Sequence, residues 1–136
     1  MIKLWAKTSA GVVTQHKALT LPGKTCSPAA YAASAASSLP TACLITDKGE
    51  LVFALESDKA PGTVKNFLRY VNEGFYSGTY FHRVLPNSVV QGGGFVMNNG
   101  SYLTKSPGYP AIPLEKTSTT TLSNVQNSVA MARTTI

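Results

Sequence analysis

One amphipathic helix, set between runs of strand-forming residues, constrains the folds open to this 136-residue chain more than any other feature. Pro61 stands where a first helical turn would begin, and Gly74 stands where the last turn would end. Apolar residues recur between them at helical spacing, namely Val64, Phe67, Leu68 and Val71. This pattern predicts a single long helix of about three turns whose apolar face packs on a core.

Strand-like segments lie on both sides of that helix. The candidate strands are residues 42–46, 51–55, 80–85, 88–91 and 128–132. The first two flank Asp47-Lys48-Gly49-Glu50, which predicts a β-hairpin with a positive φ at the glycine. The third and fourth meet at Pro86-Asn87, whereas residues 96–127 are rich in turn formers and predict one long surface excursion. This order favours a mainly β fold, either α+β or a closed antiparallel barrel, over an alternating βαβ sheet.

The first 41 residues differ in character from the rest of the chain. They are predicted to form an N-terminal extension or linker of unknown role, with a domain boundary near Thr41 and the domain itself over residues 42–136. Within the extension, Gly11–Leu21 has the composition of one or two strands. Ala29–Ser38 is an Ala/Ser tract, which predicts either a linker or a short helix.

The net charge of +6 is unevenly distributed along the chain. Residues 1–43 carry four lysines and no acid, and the eight bases and six acids that follow leave only +2. A scattered basic segment is typical of solvated surface, so nucleic-acid binding is not expected. No stretch approaches the ~20 apolar residues of a membrane-spanning helix, and no membrane partner is expected. No secretory signal is visible, which favours the cytoplasm over the periplasm, although an alanine-rich leader leaves export open.

Several short motifs do not meet the requirements of the sites they resemble. Cys26 and Cys43 have no histidine at metal-ligand spacing, so no metal site is expected, and a disulfide and two free thiols both remain open. Gly23-Lys24-Thr25 lacks the first glycine of a phosphate loop, and Gly92-Gly93-Gly94 lacks the context of a dinucleotide site, which favours tight backbone packing. Asn99-Gly100-Ser101 matches a glycosylation sequon, but a turn is the simpler interpretation.

An arginine and a glutamine occupy strand positions that could bring them together. Alternation along a regular strand places Phe81, Arg83 and Leu85 on one face. On the neighbouring candidate strand, Gln91 shares a face with Val89. If the two strands pair, a guanidinium and a carboxamide converge beside apolar surface. Such an arrangement fits either a functional site or a structural polar pair.

A longer motif favours the functional interpretation. Residues 76–95 read YSGTYFHRVLPNSVVQGGGF, in which Phe-His-Arg is followed eight residues later by Gln-Gly-Gly. This segment resembles the signature of the cyclophilin family of peptidyl-prolyl cis-trans isomerases, bacterial branch. Three further segments are similar to that family, namely residues 59–67, 74–76 and 129–134. The resemblance extends over residues 42–136 and implies a cyclophilin-like antiparallel β-barrel.

The resemblance implies a catalytic role for Arg83 without metal or cofactor. A guanidinium that hydrogen-bonds the prolyl nitrogen favours the twisted state over the planar amide. The residues that the resemblance implies in substrate binding are Phe81, His82, Ser88, Val89, Gln91, Ala132 and Arg133. Among them, Val89 would line the proline pocket and Gln91 would bind the substrate backbone. The implied partners are unfolded or extended proline-containing polypeptides.

Two features depart from the family pattern. Ser88 stands where the family usually has phenylalanine in the proline pocket, so weaker proline binding is expected. The chain ends at Ile136, directly after the segment that resembles a core strand, so we expect a C-terminally truncated domain with an incomplete barrel. A catalytically silent proline-peptide-binding module, or a remnant without a stable fold, is therefore the alternative to an isomerase that assists protein folding.

Overall fold

The computed structural model describes the backbone of residues 2–5 and the full structure of residues 23–133. Its strands are β1 (Ile2–Trp5), β2 (Thr41–Thr46), β3 (Gly49–Ala54), β4 (Phe81–Leu85), β5 (Val89–Gly92), β6 (Phe95–Asn98), β7 (Ser101–Thr104) and β8 (Ser128–Met131). Its helices are α1 (Pro28–Ala35), α2 (Pro61–Asn72) and α3 (Thr117–Thr120). The strand predicted over Gly11–Leu21 lies outside the described residues.

The predicted hairpin is confirmed, and a helix, α2, lies where the long helix is predicted, but it is one of three helices in the described residues. Strands β2 and β3 pair in antiparallel register across a turn at which Gly49 has a φ of 130°, a conformation that favours glycine. Helix α2 begins at Pro61, and Gly74 follows its end with a φ of 68°. The helix buries Val64, Phe67 and Tyr70 in the core, against Phe53 of β3 among others. The apolar periodicity of α2 and the glycine turn between β2 and β3 thus determine these two elements from local sequence alone.

A four-stranded antiparallel sheet has the order β4-β5-β1-β8. Strand β1, which precedes the predicted boundary at Thr41, lies between β5 and β8 and pairs with both. The fold is therefore mainly β with antiparallel strand pairs, as the sequence predicts. In the described part of the chain the strands do not close into a barrel, and α2 is the longest of three helices.

The segment predicted as one long surface excursion contains a hairpin. Strands β6 and β7 pair across Asn99 and Gly100, which both have positive φ, as a tight two-residue hairpin turn requires. The interpretation of this motif as a turn is confirmed, whereas the prediction of an excursion without strands over 96–127 is wrong. Polar residues dominate 96–127 as a whole, and every residue of the hairpin is exposed or half-buried, although its strands carry apolar residues such as Val96 and Leu103.

Helix α1 occupies most of the Ala/Ser tract, which settles the two alternatives left open there in favour of a short helix. The Ser27 side chain accepts a hydrogen bond from the Ala30 amide and so caps the helix. Glu50 of β3 in turn accepts hydrogen bonds from the Ser27 amide and hydroxyl, at 2.9 and 2.6 Å. A disulfide joins Cys26 to Cys43 of β2. These contacts attach the segment before Thr41 to the β2–β3 hairpin.

Glu115 caps the first turn of α2 from the long segment after β7. Its carboxylate accepts hydrogen bonds from the amides of Gly62 and Thr63, at 3.0 and 2.7 Å. Those amides have no partner inside the helix, and a negative charge there also complements the helix dipole. Hydrogen bonds from Thr63, first from its side chain and then from the backbone, hold the pKa of Glu115 below its usual value.

We expect the Glu115→Gln variant to be less stable than the wild-type protein at neutral pH by about 0.5–1 kcal/mol. This value is at the low end for loss of a helix cap because the carboxylate is accessible to water. Because folding lowers the pKa of Glu115, its stabilisation is present above the ordinary glutamate value and is lost as the pH falls through the lowered one. Urea unfolding at several pH values measures this. The two proteins should become equally stable in acid, and a difference that persists there would show that the charge is not responsible.

Candidate active site

The register of β4 and β5 brings Arg83 opposite Gln91. The Arg83 Nη1 donates to the Gln91 Oε1 at 3.4 Å, a distance at the long end for a hydrogen bond. The Arg83 side chain is exposed and Gln91 is half-buried, so the guanidinium keeps most of its donors directed to the surroundings. The predicted convergence of a guanidinium and a carboxamide is confirmed.

A β-bulge separates Phe81 from Arg83. Phe81 pairs with Gly92, and Arg83 pairs with Gln91, so His82 is the extra residue on β4. Gly92 and Gln91 are consecutive and face opposite sides of the sheet, which places Phe81 on the side opposite Arg83. The prediction that Phe81 and Arg83 share a face is therefore wrong. The extra residue interrupts the regular alternation of β4, and nothing in the local sequence indicates it.

Phe81 packs into the core through a notch at Gly92. Phe81 is 6% exposed and belongs to the core cluster. A Cβ atom at Gly92 would lie 2.6 Å from the Phe81 Cδ1 and 3.0 Å from the Tyr80 carbonyl oxygen. Only glycine fits at that separation, which agrees with the prediction of tight backbone packing at the glycine run. The notch fixes the position of Phe81 relative to β5.

Apolar residues border Arg83 and Gln91 on their face of the sheet. Leu85 pairs with Val89, and both lie two residues along their strands from the polar pair. Val89 is 3% exposed and lies outside the main core cluster, whereas Leu85 is 40% exposed. Ser88 is half-buried in the turn between the strands, where Asn87 has a φ of 56°. Leu85 therefore contributes exposed apolar surface next to the polar pair, whereas Val89 is buried beneath it.

Ala132 and Arg133 lie farther from Arg83 than its cross-strand partner Gln91 does. Both residues follow the end of β8. Strand β1 lies between β8 and β5, so the axes of β8 and β5 are about 10 Å apart. The register places Gln91, position 3 and Ala130 in one row across the sheet, so these positions share the face of Arg83. Ala132, two residues beyond Ala130, is half-buried, and Arg133 is exposed.

One cavity in the described part of the chain lies away from Arg83. A cavity of about 230 Å³ lies between α2 and the β2–β3 hairpin, lined in part by Phe53, Phe67 and Tyr76 and by both disulfide-bonded cysteines. Burial, and next the neighbouring Tyr70, raise the pKa of Tyr76 to about 12, so its hydroxyl stays protonated. The lining includes neither Arg83 nor Gln91. Arg83 itself is exposed on the surface of the sheet.

The described residues show neither a metal-binding cluster nor a membrane-spanning helix. Within residues 23–133, no group of three or more His, Cys, Asp or Glu side chains is arranged to hold a metal ion. None of the helices in the described part of the chain has both the length and the apolar character to cross a membrane.

Comparison with known proteins places the chain in a family. The family model described as "Cyclophilin type peptidyl-prolyl cis-trans isomerase/CLD" matches residues 41–135. Peptidyl-prolyl cis-trans isomerase A of Dickeya dadantii is 43% identical over 91 residues, which are 67% of this chain and 45% of that protein. Peptidyl-prolyl cis-trans isomerase B of Escherichia coli is 43% identical over 89 residues, covering 65% of this chain and 51% of that protein.

A third relative, peptidyl-prolyl cis-trans isomerase cyp18 of Streptomyces antibioticus, is 40% identical over 96 residues, which are 71% of this chain and 54% of that protein. No solved structure matches the chain significantly. The chain spans about half the length of these curated relatives. The family match covers well over half of the chain and includes the paired strands that carry Arg83 and Gln91. The chain belongs to the cyclophilin-type peptidyl-prolyl cis-trans isomerase family.

Proposed function

We propose that the chain carries the catalytic face of a peptidyl-prolyl cis-trans isomerase that acts on unfolded or extended proline-containing polypeptides and so assists protein folding. The observation that carries the proposal is the hydrogen-bonded pair of Arg83 and Gln91 beside Val89, on paired strands within the family match. The similar proteins of Dickeya dadantii and Escherichia coli are both named peptidyl-prolyl cis-trans isomerases, which supports isomerisation as the class of reaction.

Arg83 is proposed to act on the prolyl nitrogen. In the planar amide that nitrogen donates its lone pair into the carbonyl, which creates a rotation barrier of ~18–20 kcal/mol. As the bond twists, the lone pair localises on nitrogen, and the nitrogen becomes a better hydrogen-bond acceptor. A guanidinium that donates to it stabilises the twisted state more than either planar isomer, and such differential binding accelerates rotation. The chemistry proposed for Arg83 uses neither a nucleophile nor a cofactor.

The remaining proposed roles concern the substrate. Gln91 holds the guanidinium and contacts the substrate backbone, and Val89 and Ser88 border the proline ring. The segment at Ala132 and Arg133 pairs with the extended peptide across the open face. Phe81 and His82 support this face from within β4, and the strands of residues 42–136 form part of a cyclophilin barrel, with residues 1–41 as an extension.

A silent binding module is the second candidate, and one observation favours it. The cavity between α2 and the β2–β3 hairpin does not include Arg83, and Ser88 supplies no ring for a proline to pack against. Exchange NMR on a proline tetrapeptide, without a coupled protease, distinguishes the two functions. Uncatalysed exchange takes roughly tens to hundreds of seconds. An isomerase should bring exchange into the sub-second range in proportion to protein concentration. Shifts of the Gln91 amide signals on peptide addition, with exchange left at the uncatalysed rate, would overturn the proposal and identify a binding module.

A further inference from the structure

The position of Arg83 depends on where the extra residue of β4 lies. From the pair Phe81 and Gly92, a regular antiparallel register would continue with His82 opposite Gln91 and Arg83 opposite Val90. Val90 packs against the core cluster, so Arg83 would then point to the core side of the sheet. A slip of one residue exchanges the two faces of a strand. The bulge at His82 is therefore what directs the guanidinium to the face of Gln91.

Contacts of the residues before the bulge, and of the bulged residue itself, fix its position. On one side, Phe81 is held in the notch at Gly92. The Tyr80 amide also donates to the Phe95 carbonyl at 3.0 Å, which ties the entry of β4 to the start of β6. At the bulge itself, the His82 ring packs against the Phe95 ring, with centroids 4.4 Å apart and planes at 59°.

The partner ring of His82 is itself supported. Phe95 lies at the base of the β6–β7 hairpin, where it pairs with Thr104. Its ring lies near Tyr102, with centroids 6.4 Å apart, and Tyr102 contacts Tyr80 edge to face. The His82 ring is half-buried, and its Nδ1 is shielded from solvent. Such aromatic contacts stabilise a packing arrangement beyond the apolar area that they bury.

We infer that His82 is a positioning residue: its ring, packed on Phe95, holds the β-bulge that turns Arg83 to the face of Gln91. The inference deepens the proposed function and rests on it for its activity readout, whereas its structural readout stands without it. The role assigned to His82 is the packing of a flat ring, so another flat ring should replace it. It acts through Arg83 and needs no contact with substrate.

The experiment compares His82→Ala, His82→Phe and Phe95→Leu in the full chain, with Tyr31→Ala as the control because Tyr31 is 62% exposed and outside the sheet. The structural readout is the NOE between the Arg83 guanidinium protons and the Gln91 side-chain amide. The NOE should be lost in His82→Ala, weakened in Phe95→Leu, and kept in His82→Phe and the control. For isomerisation, kcat should fall about 10-fold or more in His82→Ala with KM changed less than about 2-fold, because the guanidinium is displaced while the binding surface remains.

The outcomes separate the inference from the proposed function. An NOE retained in His82→Ala, or lost equally in His82→Phe, would overturn the positioning role of the ring. If His82→Ala does not fold, Phe95→Leu decides by the same NOE. If the wild-type protein shows no isomerisation, the proposed function fails, and the NOE series still tests the inference. A further fall in kcat when His82→Ala is added to Arg83→Ala would show that His82 acts on substrate directly, which also contradicts the inference.

Discussion

Replacing Arg83 with alanine is expected to lower kcat/KM for isomerisation of a proline tetrapeptide by about 100-fold or more, the usual cost of losing one donor aimed at a transition state. The guanidinium is exposed beside Gln91, so its removal leaves the strand pairing of β4 and β5 in place. Arg83→Lys should recover only part of the rate, because an ammonium lacks the planar fork that the Gln91 carboxamide aligns. Initial rates in a protease-free spectroscopic assay measure these effects.

Lys65→Ala is the matched control for the loss of one positive charge. Lys65 is exposed on α2 and belongs to neither strand of the candidate site. Its variant should retain the full rate, and the thermal melts of both variants should stay close to that of the wild-type protein. An Arg83→Ala variant with an unchanged rate would remove Arg83 from the mechanism.

Removing the disulfide is expected to have the largest effect on stability. Cys26 and Cys43 are 17 residues apart, and closing a loop of that size restricts the unfolded chain by about 3 kcal/mol. The tether matters more here because α1 buries little apolar surface: Ala30 is its buried residue, and an isolated helix of this length is marginal in water. Urea unfolding of the Cys26→Ser/Cys43→Ser double variant, followed by circular dichroism, measures the loss.

Reduction provides the control for this prediction. The wild-type protein in a thiol reductant should match the double variant, and the reductant should leave the variant itself unchanged. A stabilising role for the disulfide would be contradicted if the oxidised wild-type protein unfolded at the same urea concentration as the double variant.

The elements that sequence predicted well are those determined by neighbours along the chain. The helix over Pro61–Asn72 follows from its apolar stripe and its terminal proline and glycine, and the β2–β3 hairpin follows from a turn with a glycine. The polar composition of residues 96–127 concealed the β6–β7 hairpin, although Asn99-Gly100 is a strong turn signal. A hairpin with exposed faces leaves little hydrophobic alternation to detect.

Features that depend on distant contacts were not predictable in the same way. The bulge at His82 follows from the fit of Phe81 against Gly92, which lies eleven residues further along the chain and meets Phe81 only through strand pairing. The disulfide requires the two cysteines to approach, and their Cα atoms lie 6.5 Å apart only once α1 and β2 have formed. The pairing of Arg83 with Gln91 was predicted, but through a regular strand that the structure does not contain.

The most direct test of the catalytic role of Arg83 separates binding of the planar peptide from stabilisation of its twisted form. A proline peptide is titrated with protein up to saturation, and NMR line-shape analysis then gives the dissociation constant and the exchange rate on the protein. Both are measured for the wild-type chain and for Arg83→Ala. A guanidinium that acts on the twisted amide predicts a dissociation constant changed less than about 2-fold, with catalysed exchange lost. Equal exchange rates on both proteins, or a loss of binding that accounts for the whole fall in rate, would contradict it.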